Sequence, residues 1–400
     1  MKRALQSPSR LPRVLFATSG VALIAVTYGL ARLGYGLFLP AFSATFPLTP
    51  ALGGLLASGS SILYCVAAGI GFRHASLHPR GVVLLAGLSA ATGSAGIAGA
   101  ENTAVFAGGV LLAGMGAGFA SPAMVELVRR NTHPAGQSRV QSVVNAGTGF
   151  GVVLAGVLSL VLGEAWRLAW VLVAVLAAGS MLAVLRLDRR TGLPGARPPA
   201  DRAAPRLFSR SSVDGLARPL GGAFVFGIGC AAVWVHGRAT LEQAGGMDVT
   251  LSAGAWIALG LGGAAAAAVA GRLAAHPVSV TWPVSALVTA AATALVGAAP
   301  GSLPAAYTAA ALFGLAYTAA TSVLILWSSA AATDSAAGTA ILFIALVLGQ
   351  AAGATLTGLL LQTGSTAVAF SAAALACAAS ALAPVAGARG RTGPPSGGQP

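Results

Sequence analysis

Arg32 lies eight residues before Pro40 in a long apolar run, about 12 Å of helix from the end of that run. A charge so placed costs about 2.5–3.5 kcal/mol on insertion scales, so it needs a reason. Tyr28, Arg32, Tyr35 and Leu39 follow i, i+4, i+7, i+11 spacing and share one helical face. A guanidinium offers five donors in a fixed fork, suited to two-point recognition of a carboxylate. Two phenols beside it would make a polar cavity wall. The competing role is structural, with Arg32 bonded to helix carbonyls or to a loop carboxylate. Trp234 and Arg238 repeat the spacing of Tyr28 and Arg32, but Arg238 falls near the end of its run, where a Trp and an Arg also form an ordinary interface belt. His236 is two residues from each and points to another face; packing and proton coupling are its two roles.

Asn145, Gln350, Tyr64 and Tyr317 also stand inside apolar runs and are candidates to line a cavity or to join helices by hydrogen bonds. None of the nine carboxylates falls at the middle of a run, so proton coupling would rest on Glu126, on His236 or on a solute. Cys65, Cys230 and Cys377 have no paired spacing, and the five histidines have no metal-ligand spacing. No HExxH, GxSxG, Walker, CxxC or paired-carboxylate pattern is present, which argues against an enzyme, a metal and a cofactor.

The elements that position these residues follow from composition. The chain is 56% hydrophobic and 8% charged, with mean hydropathy +0.82, against roughly 25% charged in soluble domains. Apolar runs predict twelve membrane-spanning helices near 14–38, 51–72, 81–99, 103–125, 139–162, 166–187, 219–240, 250–271, 278–298, 303–327, 336–361 and 365–386. The run after Arg13 is too long for a cleaved signal and reads as a first span. A net charge of +14 could suggest nucleic acid, but the arginines flank apolar runs, without interleaved stacking aromatics. All of the 23 basic residues except Arg32, Arg167 and Arg238 fall on one side if the N-terminus is cytoplasmic. Glu101, Glu164, Glu242 and Asp248 fall on the other. Both termini are then cytoplasmic, as expected of a multi-pass protein of a bacterial inner membrane.

The segment 188–218 is the one long polar stretch between runs and reads as a linker between bundles 14–187 and 219–386, with tails 1–13 and 387–400. Gly147, Gly151 and Gly156 in the fifth span match Gly349, Gly353 and Gly358 in the eleventh, both spaced four then five. The match indicates two related halves, with the glycines as helix-packing sites. Arg73, after the second span, is answered by Arg272, after the eighth.

Twelve spans in two six-helix halves, joined by a basic linker, resemble the major facilitator superfamily across Val14 to Ala386. Ala31-Arg32-Leu33-Gly34-Tyr35-Gly36-Leu37-Phe38-Leu39-Pro40, Asn145 to Gly149 and Trp166-Arg167-Leu168-Ala169 resemble its bacterial YbfB-like branch. In the superfamily's loop after span two, Gly69 to Arg73 and Arg80 keep the glycine and the basic charge, without the usual Asp. Gly114-Met115-Gly116-Ala117 resembles a second motif whose arginine is Val110 here. The fifth span's glycines resemble an exporter motif, with Val152 in place of its proline. The resemblance implies an all-α membrane protein and a secondary transporter, possessing gating loops at Arg73, Arg80 and Arg272. The expected partners are a small organic solute and the lipid bilayer, and a monomer is expected. An antiporter-like exporter, a facilitative uniporter and an anion exchanger stay open, and a membrane receptor is the rival of another class.

Overall fold

The computed structural model describes residues 10–163, 165–189, 215–332 and 334–384. Among them every regular element is helical. We number the helices α1 Val14–Thr45, α2 Pro50–Ala75, α3 Pro79–Ala98, α4 Thr103–Asn131, α5 Pro134–Leu162 and α6 Trp166–Leu187 in the first half. The second half holds α7 Ala217–Gln243, α8 Val249–Ala275, α9 Val278–Ala298, α10 Leu303–Ala331, α11 Ser335–Thr363 and α12 Thr366–Ser380. Among the described residues, eleven helices are long and apolar enough to cross a membrane. α12, at 15 residues, is shorter than the span expected over 365–386. Residues 1–9 of the expected N-terminal tail, the expected tail 387–400 and residues 190–214 of the expected linker lie outside the described residues, while 10–13 continue the first helix.

Helix starts are set by local chemistry. Thr49, Asn102, Asp248 and Ser365 each accept a backbone N–H of the following helix, at 3.2, 3.0, 2.8 and 3.3 Å, and Pro50 follows the first of them at a position where its missing N–H costs nothing. α1 runs on past its expected end at 38 and carries Pro40 inside it. α1 and α7 each contain a π-helical stretch, Ala25–Arg32 and Ala232–His236. Such an extra residue in a turn changes which face later side chains occupy and is common at functional sites.

Within the halves, α3 packs on α4 and α6, and α9 packs on α10 and α12. Between the halves, α2 packs on α11 and α5 on α8. The two glycine triplets occupy equivalent contacts. Gly147 and Gly151 abut the backbone of Val21 and Ala25 in α1, while Gly349 and Gly353 abut that of Phe224 and Ile228 in α7. The third glycine of each faces the opposite half: Gly156 meets Ile257 of α8, and Gly358 meets Pro50 of α2. Small residues let backbones approach where lipid supplies no hydrophobic drive to pack. Large apolar side chains such as Val161, Val175 and Leu375 point outward, 73%, 62% and 70% exposed, as a bilayer-facing surface requires.

Asp188, first residue of the expected linker, is buried at the end of α6. It accepts from Arg80 at 2.8 Å, from Asn131 at 2.9 Å and from Arg130 through two bonds, while the Asn131 amide oxygen accepts the Arg189 N–H at 2.9 Å. Burial alone would raise its pKa, but the bonds from Arg130, Asn131 and Arg80 hold the carboxyl below its usual value. The motif after α2 lacks its own Asp, and Asp188 supplies a carboxylate to Arg80 from α6.

Candidate functional site

A cavity opens between the halves where the π-helical stretches of α1 and α7 face α2 and α11. Its walls include Arg32, Tyr35, Ser60, Ser61, Trp234 and Gln350. Arg32 Nη2 donates to Gln350 Oε1 at 3.0 Å, and the guanidinium lies 4.6 Å over the Tyr64 ring. Both contacts hold the side chain in place, yet Arg32 Nε is buried without a partner. Gln350 Nε2 in turn donates to Tyr317 Oη at 3.0 Å. Tyr28 Oη is 2.6 Å from Tyr64 Oη and 3.0 Å from Ser121 Oγ, which fixes the ring on which Arg32 rests. Trp234 stacks edge-on to Tyr317, ring centroids 5.3 Å apart, and its indole N–H has no acceptor.

Tyr28, Arg32, Tyr64, Trp234, Tyr317 and Gln350 therefore meet in one connected cluster drawn from both halves. Tyr35 lines the same cavity but turns its hydroxyl to the Gly53 carbonyl, 2.9 Å away. Arg238 is elsewhere, although its spacing to Trp234 copies that of Arg32 to Tyr28. It is 4% exposed and ion-pairs with Glu242 at 2.7 Å. Its Nη1 donates across the seam to Leu37 O and to Ser159 Oγ, both at 2.7 Å, its Nε to Ser252 Oγ at 3.0 Å and its Nη2 to Val249 O at 3.2 Å. It is a satisfied charge that knits α7 to α1, α5 and α8.

The remaining sequence candidates sit outside the cavity walls. His236, 1% exposed, has Nε2 3.2 Å from the Ala354 carbonyl, at the α7–α11 contact beside Gly54. Asn145 is exposed and accepts from Gln141 at 2.9 Å. Glu126 pairs with Arg129 one turn away. Arg73 and Arg272 are exposed, and Arg80 belongs to the Asp188 cluster.

Sequence reading missed the serines of α2. Ser60 and Ser61 line the cavity, and Ser58 joins α2 to α11 through Ala351 O and, at 2.7 Å, Thr355 Oγ1. The signal was available as three serines within four residues of an apolar span. Among the described residues no His, Cys, Asp and Glu group could hold a metal ion.

The fold has many solved counterparts. A bacterial homolog of the human lysosomal transporter Spinster, inward-facing and unoccupied, is 17% identical with a TM-score of 0.65, over 95% of this chain and 96% of that one. The human organic anion transporter MFSD10 is 19% identical with a TM-score of 0.67, over 94% of this chain and all of that one, 100%. A D-xylose–proton symporter is 12% identical with a TM-score of 0.71, over 92% and 96%. No curated protein matches the sequence. The family model described as Major Facilitator Superfamily matches residues 21–347, from within α1 through α2 and α7 to the first part of α11, and the chain belongs to that family of membrane transporters.

Proposed function

We propose that this transporter carries a small organic anion through the Arg32 cavity by alternating access of its two halves, 14–187 and 219–386. One observation carries the reading: Arg32 has no carboxylate partner among the described residues, while its Nε and the Trp234 N–H have no acceptor at the cavity. A buried donor without a partner is costly, and an anionic ligand supplies what is missing. Tyr35, Trp234, Ala57, Ala231 and Val235 give the walls an apolar and aromatic character, so the anion carries a partly apolar body. MFSD10, a structural counterpart, is an organic anion transporter. The arginine distribution supports cytoplasmic termini in a bacterial inner membrane, and the Ala31–Pro40 stretch supports the YbfB-like branch. The fifth-span glycines support export as the direction.

Benzoate, an aromatic monocarboxylate, is the probe. It should raise the melting temperature of the purified protein, and Arg32→Lys should weaken its affinity roughly 10-fold or more by removing the guanidinium's fork. Arg32→Ala should abolish the shift. A benzoate effect that survives Arg32→Ala in well-folded protein would remove the reading.

A further inference from the structure

The charge inventory of the cavity points to how the carrier cycles, on the reading that Arg32 binds the anion. Each described carboxylate is committed or distant. Glu126 pairs with Arg129, Glu242 with Arg238, and Asp188 with Arg80 and Arg130. Asp248 caps α8, Asp334 accepts the Ala337 N–H at the start of α11, and Glu101 is exposed between α3 and α4. None of them lines the cavity. The neutral partners of Arg32, Gln350 and the Tyr64 ring, orient its charge without cancelling it. The empty cavity thus carries one positive charge, and a bound monoanion makes it neutral.

A cavity that serves both sides of a membrane in turn must pass through a form closed to both. In that form Arg32 leaves water. On insertion scales an unpaired central charge corresponds to a roughly 100-fold slowing of any step that must bury it. The Arg238 cluster adds no such penalty, because Glu242 moves with it. We infer that the protein is an anion exchanger: the monoanion-loaded carrier reorients, the empty one does not, and each anion carried one way requires another to be carried back. A proton has no group at this site on which to replace the anion, since no described carboxylate or histidine lines it.

The inference can be tested without knowing the natural solute. Thr355, hydrogen-bonded to Ser58 across the α2–α11 seam, reports when that seam opens. Thr355→Cys is placed in a background with Cys65→Ala, Cys230→Ala and Cys377→Ala, reconstituted in nanodiscs free of organic anions, and labelled with a polar maleimide. Two variants discharge the cavity by different routes. Arg32→Gln removes the charge, and Gln350→Glu pairs it in place. Both should speed labelling about 100-fold over the parent, while Arg32→Lys, which keeps the charge, should stay slow. Parent labelling as fast as in both variants would overturn the inference, as would two slow variants. If Arg32→Gln fails to fold, shown by labelling of Cys230 retained in a parallel background, Gln350→Glu decides. Benzoate binding by the unmodified protein is a separate measurement: binding together with a freely opening empty seam overturns exchange alone, and absence of binding overturns anion recognition.

Discussion

Arg32 and Arg238 share a residue type, a place within an apolar run and a spacing to an aromatic ring, but their partners divide their roles. Arg238 has a carboxylate and four other acceptors; Arg32 has one amide and the face of a phenol. Spacing within one helix could nominate both, but only the neighbours on α5, α8 and α11 distinguish them, and those lie 79, 14 and 318 residues away in sequence. Asp188 shows the same limit. As sequence it is the first polar residue after a span, whereas its partners Arg130 and Arg80 are 58 and 108 residues distant. A testable consequence follows from its lowered pKa. The native state holds the carboxylate charged, so its stabilisation is present above the ordinary value of 3.8 and fades as pH falls through the depressed one. Asp188→Asn should cost about 1.5–3 kcal/mol at neutral pH, leaving Arg80 and Arg130 uncompensated, and should flatten the acid limb of melting temperature against pH. An unchanged acid limb would show that the cluster contributes nothing to stability.

At the scale of the helix, the twelve elements were legible because apolar length and the charges that end it are properties of the sequence itself. The glycine triplets were legible as a repeat, but not what each glycine touches. Gly353 abuts α7 inside its own half, and Gly358 abuts α2 of the other half. Gly353→Val should therefore overpack a permanent contact and cost about 1–3 kcal/mol of stability. Gly358→Val should leave each half intact and instead hold the seam open, read as faster labelling of Thr355→Cys with a smaller loss of melting temperature. Equal effects of the two would contradict the division. The π-helical stretches were not legible. Nothing in Ala25–Arg32 or Ala232–His236 breaks an α-helical pattern, and the apolar and polar positions fit either winding. The expected stripe does stand at one site, but its polar atoms diverge: the Tyr28 hydroxyl turns to α2 and α4, Arg32 donates to Gln350 of α11 while resting on Tyr64 of α2, and the Tyr35 hydroxyl turns to the start of α2.

For the whole molecule, orientation in the membrane rests on the distribution of arginine, and exposed loop residues can report it. Ser76, between α2 and α3, and Ser302, before α10, are both exposed and lie on opposite sides of the proposed topology. A Cys introduced at Ser302 should react with an impermeant reagent in intact cells, and one at Ser76 only after permeabilisation. The reverse pattern would invert the topology. The seam between the halves has a further property. At several of its closest points the contact is backbone against glycine: Gly36 at the Trp234 carbonyl, Gly54 at the Ala354 carbonyl and Gly358 at the Pro50 carbonyl. A side chain that must settle into one rotamer when a surface closes gives up as much as about 1.5–2 kcal/mol of conformational entropy, and glycine gives up none. On the proposed alternating access, the two halves part and rejoin at these points without freezing or releasing rotamers there, which keeps the entropic cost of closing the seam low at its tightest contacts.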